Sequence, residues 1–95
     1  MRDHLPAALA RQVGERSEIA IRSARPGDLA AIRRLAHLVD HTMPADPVLV
    51  AESDGAVVAA LSTSSGEIVT DPFRATGDLV ALLQLRSTQL HELAA

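Results

Sequence analysis

Asp54-Gly55 stands between two apolar, β-branched runs, Val48 to Glu52 and Ala56 to Leu61, and this pattern restricts the fold more strongly than any other in the chain. Both turn residues tolerate positive φ, which a two-residue hairpin turn requires, so the spacing predicts two antiparallel strands joined there. A Ser-rich stretch with Gly66 turns the chain again into Glu67 to Thr70, a third strand of the meander, and Asp71-Pro72 then breaks the sheet. Upstream, Glu18 to Ala24 sets Ile19 and Ile21 on one side of a period-two pattern and reads as the first strand.

The intervening segments carry helical spacing. Leu29, Ile32, Leu35, Ala36 and Val39 recur at intervals of three and four after Pro26, which predicts a helix over 26–40 with Asp28 in its first turn. Pro44 and Pro47 leave His41 to Pro47 as a connecting loop. A last helix is expected over 78–93, where leucines at 79, 82, 83, 85, 90 and 93 spread wider round the cylinder than one sheet covers. Leu5, Leu9 and Val13 predict a short helical extension over 1–16 ahead of a core at 18–93, within a single domain of 1–95. The expected fold is α+β, a four-stranded, mainly antiparallel sheet with packed helices.

Composition narrows the function classes. Apolar residues reach 47%, but 17 of the 95 residues are Ala and Phe73 is the only aromatic, so the core is thin and a second copy or a partner would offset it. A net charge of −3 and scattered arginines give no basic footprint, and one aromatic makes no stacking platform, which argues against nucleic acid as a partner. With no Cys there is neither a disulfide framework nor a thiolate ligand or nucleophile. Ala56 to Leu61, the longest apolar run, is far too short to span a bilayer, so no membrane insertion and a cytoplasmic location are expected.

The segment Ile19-Ala20-Ile21-Arg22-Ser23-Ala24-Arg25-Pro26-Gly27-Asp28-Leu29-Ala30-Ala31-Ile32 resembles the start of GNAT-family N-acetyltransferases, where a strand with an Ile-Arg-x-Ala pattern leads into a helix carrying Asp-x-x-x-Ile. Val48 to Glu52, the Asp54-Gly55 turn and Val57 to Leu61 look like that family's second and third strands. The resemblance implies the N-terminal half of a GNAT fold. It also implies an acetyl-CoA site where a strand feeds a helix through Gln/Arg-x-x-Gly-x-Gly/Ala, and Arg74-Ala75-Thr76-Gly77-Asp78-Leu79 matches this in part. Leu79 replaces the final small residue, and Asp78 puts a carboxylate where phosphates would sit. Thr76, Gly77 and Asp78 read more simply as a capped, charge-complemented helix start. A second partial match, Arg11 to Arg16, precedes the first strand and is out of place.

Family members continue past this helix with further strands, whereas this sequence ends at Ala95, so the expectation is a catalytically inactive GNAT-like interaction module, a homodimer without cofactor or catalytic residues. The alternative is a small N-acetyltransferase or acyl-CoA-binding protein completed across a dimer, with Arg74, Thr76 and Gly77 on the pyrophosphate and Glu52 or Glu67 as base. Other constellations are weaker. His37 and His41 are four apart but lack a third ligand, so no metal site is expected. Ser62 to Ser65 read as turn punctuation and not as a nucleophile, since no Gly-x-Ser-x-Gly elbow accompanies them.

Overall fold

The structure, a computed structural model, describes residues 18–94. The expected helical extension over 1–16 and the partial motif at Arg11 to Arg16 lie outside the described residues. Four strands, β1 (Ile19–Ser23), β2 (Val48–Ser53), β3 (Ala56–Ser62) and β4 (Ile68–Thr70), pair in the order β1-β2-β3-β4, every neighbour antiparallel. Two helices, α1 (Leu29–Leu38) and α2 (Gly77–Ala94), complete an α+β fold.

The hairpin forms where the sequence predicts it. Asp54 has φ 53° and Gly55 φ 83°, the pair of positive values that matches the twist of two adjoining strands. The core has two sides. On one, Ile32, Leu35 and Ala36 of α1 pack against Val48, Val50, Val57, Ala60 and Val69; on the other, Leu79 and Leu83 of α2 pack against Leu49, Ala51, Val58, Ala59 and Leu61. A sheet covered on both faces explains why β2 and β3 are apolar without alternation.

A β-bulge sets which residue faces which helix. Ala51 pairs with Ala59 but Glu52 pairs with Val57, so Val58 is an extra residue without an opposite number on β2. Val58 and Ala59 therefore both belong to the α2 side, while Val57 and Ala60, three apart, share the α1 side. The Val58 carbonyl accepts the Asp71 N–H at 2.9 Å, which carries the chain out of β4 toward α2.

The first helix is shorter than the expected span of 26–40. Pro26–Asp28 forms a 3-10 turn closed by Asp28 N–H to the Arg25 carbonyl at 2.8 Å, and α1 starts only at Leu29. At its other end Asp40 adopts φ 55°, with Asp40 N–H on the His37 carbonyl at 3.2 Å and His41 N–H on the Ala36 carbonyl at 2.8 Å. This is a Schellman ending with Asp where Gly is usual. No helix among the described residues is long and apolar enough to cross a membrane.

Candidate functional sites

The loop from Asp71 to Thr76 carries the partial cofactor motif. Asp71 is buried, accepts the Phe73 N–H at 2.9 Å, and lies 3.7 Å from Arg34 and 3.9 Å from Arg74. The Arg74 guanidinium is thus drawn to the Asp71 carboxylate. The Thr76 carbonyl accepts the Val80 N–H at 2.9 Å, Gly77 opens α2, and Asp78 occupies the first turn. A Cβ built on Gly77 would meet no atom within 4 Å beyond its chain neighbours and its own helix backbone. Arg74 and Thr76 thus lie on the loop between β4 and α2 and Gly77 is the first residue of α2, with the acids Asp71 and Asp78 close by in the chain.

A second constellation lies at the β1 end of the α1 side. Arg22 stands opposite Val50 on β2, so Glu52, two residues along, shares its face. The 3-10 turn folds Asp28 back over the same guanidinium. Arg22 donates Nη1 to Asp28 Oδ2 at 2.6 Å, Nη2 to Asp28 Oδ1 at 2.9 Å, and Nη2 to Glu52 Oε2 at 2.9 Å. Asp28 Oδ2 also accepts the Arg25 N–H at 2.7 Å. These hydrogen bonds, above all the one from Arg22, hold the Asp28 carboxyl down at about 2 against an ordinary 3.8, and the same guanidinium lowers Glu52. The pair raises the Arg22 pKa in return, against the cost of burial. Its Nε is buried with no partner.

This geometry bears on Glu52 as a base. A carboxylate tied to an arginine and shifted below its ordinary range is a weak proton acceptor near neutrality. Glu67 is exposed, just ahead of β4, and its N–H donates to the Ser65 hydroxyl oxygen at 3.2 Å.

The serines form a turn, with Gly66 at φ 81° and its N–H on the Ser62 carbonyl at 2.8 Å. The buried Ser62 hydroxyl contacts Ser64 Oγ at 3.1 Å and accepts the Ser65 N–H at 3.2 Å. His91 Nε2 lies 2.9 Å from the Thr63 carbonyl, tying the end of α2 to the end of β3 and engaging no serine hydroxyl. His37 lies on α1, while His41 follows the left-handed Asp40, so the two imidazoles do not share a helical face. Among the described residues no three His, Cys, Asp or Glu side chains gather as metal ligands.

One feature escapes sequence reasoning altogether. A cleft of about 280 Å³ opens between α1 and the Met43–Val48 loop, lined by Ala24, Pro26, Leu29, Ile32, Pro44 and Val48, among others, with Arg25 and Asp46 also on its wall. In the sequence, Pro44 and Pro47 mark this segment only as a connecting loop. Comparison with known proteins places the chain beside none: no family model matches it, and no curated protein and no solved structure is detectably similar.

Proposed function

We propose that this chain is a catalytically inactive GNAT-like interaction module that pairs with a second copy through the outer face of α2. The kinship rests on the Ile-Arg-x-Ala and Asp-x-x-x-Ile patterns and on the order strand, helix, three strands, helix.

The observation that carries the contact is the exposure of leucines on α2. Leu79, Leu83 and Leu90 fall within an arc of about 40° and turn to the sheet, whereas Leu82, Leu85 and Leu93 cluster about a quarter-turn round the cylinder. Those three are 43%, 55% and 80% exposed, a second apolar stripe that the sheet does not cover. A two-fold pairing of α2 with its copy would bury both stripes and add apolar area to an Ala-rich core. Light scattering at micromolar concentration is expected to give twice the monomer mass, and Leu82→Glu with Leu85→Glu to give the monomer. A parent protein that stays monomeric and melts cooperatively overturns the reading.

The acyl-CoA alternative draws support from Gly77, a residue without a side chain at the start of α2. On that reading Arg74, Thr76 and Gly77 hold the pyrophosphate of acetyl-CoA. Asp78 in the first turn, the Asp71 carboxylate beside Arg74, and the pairing of Glu52 with Arg22 all weigh against it.

A further inference from the structure

The sheet face that carries α2 is covered unevenly. Among the described residues β1 is an edge strand, and Ile19 and Ile21, two apart, turn to the α2 side. Ile21 packs against the Leu79 and Leu83 cluster, whereas Ile19 is 39% exposed. Leu82, about a quarter-turn round α2 from the buried leucines, is exposed as well.

Chain chirality puts Leu82 on the β1 side of α2. Ser62 donates its N–H to the Glu67 carbonyl on the β4 side and Thr63 its own to the Pro47 carbonyl on the β2 side, so Leu61, which faces α2, turns its peptide groups to β2. For L-residues, viewed along β3 with α2 above, this sets β2 and β1 to the right. α2 runs the same way as β3, since the loop before it leaves β4 where Asp71 N–H meets the Val58 carbonyl, and its far end holds His91 against the Thr63 carbonyl. Residues turn clockwise along a right-handed helix seen from its start, which places Leu82 on the right flank, toward β1, and the half-buried Val80 and Ser87 on the left. Ile19, Ile21 and Leu82 therefore border one apolar trough over the edge strand.

We propose that residues 5–13 of the same chain dock in this trough as a helix antiparallel to α2. The place where the chain enters the sheet selects this occupant: the Glu18 carbonyl accepts the Asp54 N–H at 2.8 Å, which fixes the residue before β1 at the hairpin end, beside the first turns of α2. The length agrees. Nine helical residues rise about 12 Å and the five of β1 about 13 Å, and residues 14–17, opening with Gly14, make an ordinary helix-to-strand connection. The pattern agrees too: Leu5, Leu9 and Val13 form one stripe to rest on Ile19 and Ile21, and the small Ala8 falls on the flank turned to α2, where it lets the two helices approach. A short tether keeps the segment at high effective concentration, so one stripe suffices. The seat takes Leu82 but leaves Leu85, about 60° further round, at the surface, so it neither requires nor excludes the α2 pairing.

Hydrogen exchange on the unmodified chain tests this directly. A nine-residue helix has little stability alone, so protection of the amides of residues 9–13, at least about tenfold over an unstructured peptide, reports docking. Leu9→Glu should abolish that protection while the β2 and β3 amides keep theirs, and Leu85→Glu should leave it unchanged. Because the chain has no cysteine, an introduced pair supplies the only thiols. Ala8→Cys with Arg86→Cys, on the β1 flank of α2, should form a disulfide within one chain, of monomer mass on a non-reducing denaturing gel. It should form at least about tenfold faster than Ala8→Cys with Gln84→Cys, on the opposite flank. Unprotected amides, equal rates for the two pairs, or a disulfide that joins two chains overturn the proposal. Protection that disappears with Leu85→Glu or on dilution assigns the cover to a second copy and overturns it too. Failure of the α2 pairing alone reads differently, as monomer mass in light scattering with the protection intact.

Discussion

Replacing Asp28 with Asn removes a charge from the Arg22 constellation while leaving an oxygen that can still accept the Arg25 N–H. The Asp28 side chain is 12% exposed and holds a pKa near 2 where 3.8 is ordinary. By linkage, that lowering is worth about 2 kcal/mol of stability when the carboxylate is fully ionised in both states. Because the folded pKa is depressed, the contribution is complete above the unfolded pKa and disappears as pH falls through the folded one. It should be near ~2 kcal/mol from pH 7 down to about 5, roughly half that at pH 3, and a few tenths at pH 2. Urea melts of parent and Asp28→Asn, each at several pH values between 7 and 2, give the difference directly. The parent should be the more stable by ~2 kcal/mol at neutral pH and the curves should converge in acid. A difference that stays constant down to pH 2 would show that the charge on Asp28 is not what stabilises the turn. Equal stabilities at pH 7 would refute the argument that the Arg22 pairing outweighs its desolvation, the risk that attends partly buried ion pairs.

Other expectations follow from backbone geometry and from the α2 loop. Gly55→Val should destabilise the hairpin by at least ~1–2 kcal/mol in denaturant melts, because φ 83° is closed to a β-branched residue even though the surrounding space is open. Asp40→Gly should stabilise by about 0.5–1 kcal/mol, relieving the left-handed residue that ends α1; a loss of stability would mean the Asp side chain matters there. Millimolar acetyl-CoA should leave the thermal midpoint unchanged. A rise that Gly77→Arg removes would instead establish the acyl-CoA alternative, since saturation a hundredfold above Kd stabilises by about 2.7 kcal/mol.

Local signals in the sequence determined the elements. Asp54-Gly55, the apolar runs beside it and the helical spacing after Pro26 and Gly77 suffice for four strands and two helices, because turn chemistry and periodicity act over a few residues. The breadth of the leucine face on α2 was also legible, and Leu82, Leu85 and Leu93 stand exposed as that breadth implies. Bringing Arg74, Thr76 and Gly77 together required only adjacency in the chain. Tertiary structure decided what depends on register and on loops returning from a distance. The bulge at Val58 assigns residues of β3 to one helix or the other, and no alternation rule foretells it. Arg22 meets Glu52 across 30 positions only because β1 and β2 pair with Arg22 opposite Val50. Asp71, marked in the sequence only as a strand breaker, becomes a buried anchor through Arg34 and the Phe73 N–H. The cleft exists because α1 and the Met43–Val48 loop lean on the same end of the sheet, an arrangement that long-range packing fixes and local propensity does not encode.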